Sequence, residues 1–180
     1  MSSRAPSYYA TSRVDESDVR FGFCCGKHPL DDYFRRHAVP NDLSNIGRTY
    51  VLRRNACDDA LLPPVLGFYT LCMAAVPSAQ IAPVVEGKLP RYDMPVALIG
   101  RLAVDQRAQR RGLGEKLLID ALRRVVDGAG TFGCVGIVVD AKDEAAEHFY
   151  LAYGFTTITD ATSLHRMFLA LETAREALEG

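Results

Sequence analysis

The sequence predicts an α/β (α+β) fold in which a mixed central β-sheet is flanked by helices. Three observations predict it. Strand-like apolar runs alternate with amphipathic segments along the whole chain instead of collecting in one half. The run from Cys134 to Asp140 (CVGIVVD) is almost continuously apolar, as in a strand covered on both faces. Just before it, Leu113, Leu117, Leu118, Ala121, Leu122, Val125 and Val126 recur at the helical period. The 180 residues suit one domain spanning 1–180. With 48% hydrophobic and 24% charged residues, the chain can build a core, which excludes a disordered or low-complexity protein.

The elements follow in order. Leu30, Phe34 and Ala38, after Pro29, suggest a short helix. Arg48 to Arg54 (RTYVLRR) is a short β-rich run, and Asn55 to Pro64, with Asp58, Asp59, Pro63 and Pro64, reads as a surface loop. Val65 to Val76 (VLGFYTLCMAAV) predicts a buried strand. Pro77 to Tyr92, with three prolines and a glycine, predicts an irregular crossing. Met94 to Asp105 is again strand, with Val96, Leu98, Gly100, Leu102 and Val104 on one face and Ile99, Arg101 and Ala103 on the other. The long helix from Leu113 is expected to end at Gly128 and Gly130. After the Cys134–Asp140 strand, Asp143 starts a helix whose inner face carries Ala146, Phe149, Tyr150 and Tyr153, and Gly154 stops it. Phe155 to Thr159 and Met167 to Leu171 predict closing strands, and the stripe Leu171, Ala174, Leu178 a docked terminal helix.

Composition removes several classes of function. The longest apolar run, Val65 to Val76, is shorter than the roughly 18 residues of a membrane span, and the N-terminus has no signal-peptide core. A soluble cytoplasmic protein with no membrane partner is expected. The five cysteines (Cys24, Cys25, Cys57, Cys72, Cys134) are odd in number and form no C-x-x-C, so they read as small buried apolar side chains, not a disulfide framework. Cys24, Cys25, His28 and His37 lack paired metal-ligand spacings, so no metal site is expected. The net charge of −1 conceals an asymmetry. Residues 1–124 carry 18 basic against 13 acidic side chains, and residues 125–180 carry 3 against 9. Seventeen of the 21 basic residues are Arg, the side chain suited to bidentate contact with phosphate and carboxylate.

The stretch Gln109-Arg110-Arg111-Gly112-Leu113-Gly114 lies between a strand end and a long helix start. Successive backbone N–H groups there, with the helix dipole behind them, make a site for phosphate oxygens, and Arg110 and Arg111 add charge. No G-K-[ST] follows and no G-x-G-x-x-G occurs, so it is neither a P-loop nor a Rossmann fingerprint.

These residues resemble the Q/R-x-x-G-x-G/A motif of the GNAT-family N-acetyltransferases, and Asp143 to Phe155 (DEAAEHFYLAYGF) is similar to that family's later N-x-x-A-x-x-x-Y-x-x-x-G-F segment. The likeness covers about residues 95–170. It implies a GNAT fold with acetyl-CoA as co-substrate and no metal. Its pyrophosphate would sit on Gln109, Arg110, Arg111, Gly112, Leu113 and Gly114, and its pantetheine arm on the peptide groups of Leu102, Ala103 and Val104. The resemblance also implies a cofactor contact from Asp143, which stands where the family usually has Asn, and an N-cap role alone would account for an Asp there. Tyr150 would be the general acid toward the leaving CoA thiolate, where packing alone would otherwise explain its ring.

A narrower resemblance, to the GNAT toxins of type II toxin–antitoxin modules, rests on Phe23-Cys-Cys-Gly26, Leu30 to Phe34, Arg48 to Leu52, Gly67 to Leu71, Gly100 to Asp105 and Val139 to Asp143. The ending His165-Arg-Met-Phe-Leu-Ala170 departs from that group. The resemblance implies acetylation of the α-amine of aminoacyl-tRNA, a ribbon-helix-helix antitoxin as partner, DNA contact only through that antitoxin, and a homodimer. Arg35, Arg36 and Arg101 are the leading candidates for the tRNA-facing surface, with Arg48, Arg53 and Arg54 beside them. Two alternatives stay open at this point: a GNAT enzyme acetylating a small amine or a protein N-terminus, and a non-catalytic acyl-CoA-binding module.

Overall fold

The computed structural model describes residues 10–158 and 165–179. Seven strands form one mixed sheet in the order β1-β2-β3-β4-β5-β7-β6, flanked by helices. The strands are β1 (Thr11–Arg13), β2 (Arg48–Arg53), β3 (Val65–Val76), β4 (Met94–Val104), β5 (Gly136–Asp140), β6 (Thr156–Thr157) and β7 (Arg166–Ala170). The helices are α1 (His28–Arg36), α2 (Ala38–Leu43), α3 (Ser78–Ile81), α4 (Leu113–Phe132), α5 (Glu144–Ala152) and α6 (Leu171–Glu179). β4 and β5 pair in parallel, which requires the long crossover that α4 supplies. β1/β2, β5/β7 and β6/β7 pair antiparallel. Among the described residues, no helix is long and apolar enough to cross a membrane.

The chain divides into two compact units. The first comprises Met1–Tyr69 and Arg101–Leu117. Its core joins Tyr33 and Phe34 of α1, Ala38 and Val39 of α2, Val51 of β2, Val65 and Phe68 of β3, and Ala103 of β4. Phe34 and Phe68 approach to 4.7 Å between ring centroids. Gly67 admits the close approach of β4 and α4: a Cβ there would meet the Ala103 carbonyl and the Leu117 side chain, each at 2.8 Å. Ion pairs tie the irregular N-terminal segments to this core. Arg13 binds buried Asp42 of α2 at 2.7 and 2.8 Å. Arg53 of β2 holds buried Asp18 at 2.8 and 2.6 Å, fixing the 3-10 turn Asp18–Arg20.

The second unit comprises Thr70–Gly100 and Leu118–Gly180. Its core joins Val76 of β3, Ile81 of α3, Met94 and Val96 of β4, Val138 of β5 and Phe168 of β7. Asp140 and Arg166, register partners on β5 and β7, close that ladder with a two-pronged ion pair at 2.8 and 3.1 Å.

The fold class and the principal elements match the sequence expectation, with local corrections. The long helix does not end at Gly128 and Gly130; it runs on to Phe132. Two glycines each cost about 1 kcal/mol relative to Ala inside a helix, but neither Gly128 nor Gly130 takes the left-handed conformation that would close the helix there. Gly133, at φ +63°, provides it. The Pro77–Tyr92 crossing contains the short helix α3, nucleated after Pro77 by burial of Ile81. Leu171 opens α6 instead of closing a strand. The closing strand expected at Phe155 to Thr159 is reduced to Thr156–Thr157, and Thr159 lies outside the described residues. β1 and α2 were not anticipated: β1 has three residues, and α2 carries Pro40 in its first turn, where its missing N–H costs nothing. Of the cysteines, Cys25 is buried, whereas Cys24 and Cys57 are exposed and Cys72 and Cys134 intermediate.

Candidate active site

The site is built from the end of β4 outward. The paired register between β4 and β5 runs from Ala97 to Ile99, yet β4 continues to Val104. Leu102, Ala103 and Val104 therefore lie beyond that ladder, and their backbone groups on that side are not engaged in it. Ala103 is buried, and Leu102 and Val104 are half-buried. Arg101, mid-strand among apolar neighbours, sits with its guanidinium carbon 3.6 Å from the centroid of the Tyr33 ring. A cation over an aromatic face is a stable way to keep this charge half-buried.

Asp105, at the end of β4, is fully buried. Its carboxylate accepts hydrogen bonds from the Cys24 N–H at 2.9 Å, from the Arg107 N–H at 3.0 Å, and from Arg107 Nε and Nη2, both at 2.9 Å. Its own N–H donates to the Leu66 carbonyl on β3 at 2.9 Å. Burial alone would raise the Asp105 pKa. The hydrogen bonds from Arg107 and Cys24 and the guanidinium charge outweigh it and hold the carboxyl below the usual range. The Arg107 guanidinium also donates to the Gly22 carbonyl at 3.1 Å. This buried carboxylate thereby fastens the segment around Gly22–Cys24 to the root of the following loop.

Gln109 continues the bracing. Its side-chain amide donates to the Val104 carbonyl at 3.0 Å and to the Cys25 carbonyl at 3.2 Å. Beyond it, Arg110 (φ +61°) and Gly112 (φ +72°) both take left-handed backbone, with Arg111 between them. Such turns direct successive N–H groups toward a common side, and α4, twenty residues long, begins at Leu113. The glycine serves the turn: a Cβ at Gly112 would meet no atom within 4 Å, so conformation and not crowding requires it. Arg110 and Arg111 are exposed, and neither is in an ion pair among the described residues. A doubly left-handed loop with two available guanidinium groups at a helix N-terminus fits an anion of pyrophosphate size. Gln109 contributes through loop shape, its side chain being spent on carbonyls.

The second unit holds the other two sequence-predicted residues. Asp143 caps α5, its carboxylate accepting the Ala146 N–H at 2.8 Å. Tyr150 is 8% exposed, its ring 5.4 Å from Phe155 and 5.2 Å from Phe149. Burial pushes its phenol up to about 12, so the proton stays on throughout the neutral range. The ring is a packing element and the hydroxyl a permanent donor.

The arginines expected to face a polyanion divide. Arg35 and Arg36, in the last turn of α1, share Asp32 at 3.1 and 3.0 Å but are 60% and 64% exposed. Arg48 is bonded to the Asp42 carbonyl and Asn45, Arg53 to Asp18, and Arg54 to the carbonyls of Ala60 and Leu62. Those three serve the fold. Asp105 and Arg107 were missed as site residues. Their only local signal is an Asp and an Arg two apart where a strand ends.

The Acetyltransferase (GNAT) domain family model matches residues 66–157. The tRNA-acetylating toxin of Mycobacterium tuberculosis is 36% identical over 162 residues, covering 90% of this chain and 92% of that protein. The chain belongs to the GNAT acetyltransferase family. Among solved structures, AtaT complexed with acetyl-methionyl-tRNAfMet is 27% identical with a TM-score of 0.79, covering 95% of this GNAT chain and 99% of that one. AtaTR bound with AcCoA is 28% identical with a TM-score of 0.74, covering 93% and 96%.

In this GNAT protein the Asp105 clasp yields a stability prediction with a definite sign. The folded-state pKa of Asp105 is depressed, so its contribution is present above the unfolded value of about 3.9 and is lost as pH falls through the folded value. Asp105→Asn places an amide donor against donors and should cost about 2 kcal/mol at pH 7. Urea unfolding at pH 7 and pH 3 should show that gap at the higher pH and a smaller one at the lower. Equal midpoints for the two proteins at pH 7 would mean the carboxylate does not hold the loop.

Proposed function

We propose that this protein is an acetyl-CoA-dependent N-acetyltransferase that acetylates the α-amine of aminoacyl-tRNA and thereby blocks translation. The observation that carries the reading is the likeness, over 90% of the chain, to a tRNA-acetylating toxin, in a chain that keeps the anion-fitted loop at 109–114. In the same reading the chain is one domain and a cytoplasmic homodimer, restrained by a ribbon-helix-helix antitoxin through which alone it meets DNA. The extensive likeness of the front half to the toxin group favours this over a GNAT enzyme of small-amine metabolism.

Each residue then has a task. The N–H groups of residues 110–114, with the Arg110 and Arg111 charges, hold the cofactor's pyrophosphate, and Gln109 keeps the loop in shape. The backbone groups of Leu102 and Ala103 and the Val104 N–H, beyond the β5 ladder, take the pantetheine arm, while the Val104 carbonyl is held by Gln109. Asp143 positions α5 as its cap. When bound, acetyl-CoA supplies a thioester whose carbonyl an amine can attack. The Tyr150 hydroxyl donates a hydrogen bond to the sulfur as it leaves. With a pKa near 12 the phenol holds its proton more tightly than a thiol near 8.5, so stabilisation by the shared proton outweighs outright transfer. An aminoacyl α-amine titrates near 7.7–8, so a useful fraction is neutral without a dedicated base. Arg35, Arg36 and Arg101 line the surface offered to the acceptor RNA.

The test is labelled acetyl-CoA offered in parallel to charged tRNA, a lysine-rich protein and small amines. Label should enter charged tRNA in base-labile form and leave uncharged tRNA blank. Preferential labelling of a small amine would transfer the protein to metabolic chemistry.

Tyr150→Phe keeps the ring in the aromatic cluster, so folding and acetyl-CoA affinity should be unchanged. Losing a donor that acts only as the C–S bond breaks should slow single-turnover acetylation by on the order of 10²–10³. A variant within about threefold of wild type would leave Tyr150 as a packing residue.

A further inference from the structure

The first unit contains a cavity of about 210 Å³ that the loop site does not use. It lies between the 3-10 turn and α1, bounded by Val19 and Arg20, by Phe23, and by Asp31, Phe34 and Arg35. Its walls are fixed. Arg53 locks Asp18 at the base of the turn, and Asp31 accepts the Cys25 N–H at 2.7 Å. Phe34, 1% exposed, closes the floor. Phe23, half-buried, packs on it at 4.9 Å and on Phe68 at 5.3 Å between ring centroids.

The rim has a different character. Arg20 is exposed and in no ion pair among the described residues. Arg35 is 60% exposed, sharing Asp32 with Arg36. Phe21, which stands between Arg20 and Gly22 in the chain and does not itself line the cavity, is a large apolar side chain left 60% exposed beside it in sequence. Aromatic rings interleaved with guanidinium groups suit one chemistry above others. A purely apolar ligand has no use for two cations, and a free anion has no use for the aromatic wall. An unstacked nucleotide needs both, a face to stack on and a cation for its phosphate. The Asp31 carboxylate would repel a phosphate or an acidic peptide placed deep in the cavity, but it can accept from the exocyclic amine of a base.

We infer that this cavity seats one unstacked nucleotide of the substrate RNA's single-stranded end, the base toward Phe23 and Phe21 and the phosphate on Arg20 and Arg35. The inference rests on the aminoacyl-tRNA reading and adds a subsite to it. Arg20 and Phe21 are surface residues, so their variants should fold normally by circular dichroism. In acetyl transfer at saturating acetyl-CoA, Phe21→Leu should raise KM for charged tRNA by about tenfold, the usual scale for one lost stacking partner, and Arg20→Gln should raise it through loss of one phosphate contact. Acetyl-CoA affinity by calorimetry should be unchanged, and Phe21→Tyr should restore KM, because stacking needs a ring and not only bulk. A short single-stranded RNA with the acceptor-end sequence, carrying no amino acid, should bind in fluorescence anisotropy and lose affinity in Phe21→Leu and Arg20→Gln alike. Arg20→Gln should also flatten its log–log salt slope by about 0.7, the share of one phosphate. Wild-type KM and wild-type RNA affinity in both variants would overturn the inference. So would equal loss in Phe21→Leu and Phe21→Tyr. If the wild type labels no charged tRNA, the functional reading fails, and the anisotropy arm still decides whether the cavity holds RNA.

Discussion

One buried carboxylate organises the part of the molecule that faces its ligands. Asp105 stands where β4 stops and irregular chain begins, and it has no water to satisfy it. A bare carboxylate in that place would be prohibitive. Four N–H donors answer it, and each belongs to a segment that must be held: the Cys24 N–H from the loop before α1, and the main chain and guanidinium of Arg107 from the turn leading to α4. The charge cannot be satisfied unless the loop is in place. Gln109 repeats the logic one step on, bonding to carbonyls on both sides of the same junction. The left-handed residues Arg110 and Gly112 then follow from a fixed root, and their N–H groups are set before any ligand arrives. Preorganisation of this kind spares the ordering cost on binding.

The same economy sorts the arginines. Those that meet a buried acid or carbonyl, such as Arg53 on Asp18 and Arg54 on Ala60 and Leu62, hold irregular chain to the sheet. Arg101 is kept over Tyr33. Among the arginines left exposed, Arg110 and Arg111 at the helix start and Arg20, Arg35 and Arg36 around α1 form two basic features on a protein whose net charge is only −1. A reaction joining a pyrophosphate-bearing donor to an RNA-borne amine asks for local positive charge in two places without general polyanion affinity, and this distribution supplies it.

Much of this was readable in the chain. β3 occupies Val65–Val76 as its apolar run predicts, and α4 begins at Leu113, where the period changes. The Asp143 cap and the buried Tyr150 follow from helical spacing alone. These features depend on neighbours a few residues away. What escaped depends on distant ones. Asp105 finds Cys24 81 positions earlier, and nothing near either residue announces the pairing. The ring over which Arg101 sits was equally hidden, because Tyr33 comes from α1. β1 is three residues long, held by its register with β2 and by the Arg13–Asp42 pair, and no periodicity is detectable over such a length. Gly128 and Gly130 misled because a glycine permits a helix to stop but does not compel it.

The central claim is that a loop fixed in advance at the end of β4 is where the pyrophosphate and pantetheine of acetyl-CoA bind. The most direct measurement is a titration of ¹⁵N-labelled protein with CoA, followed by backbone amide shifts. The account predicts that the largest changes fall on the amides of Leu102–Val104 and Arg110–Gly114, while those of Cys24 and Arg107, already bonded to Asp105, stay nearly still. Saturable binding that leaves Arg110–Gly114 unmoved, or that displaces the Cys24 and Arg107 amides as strongly as the loop, would contradict it.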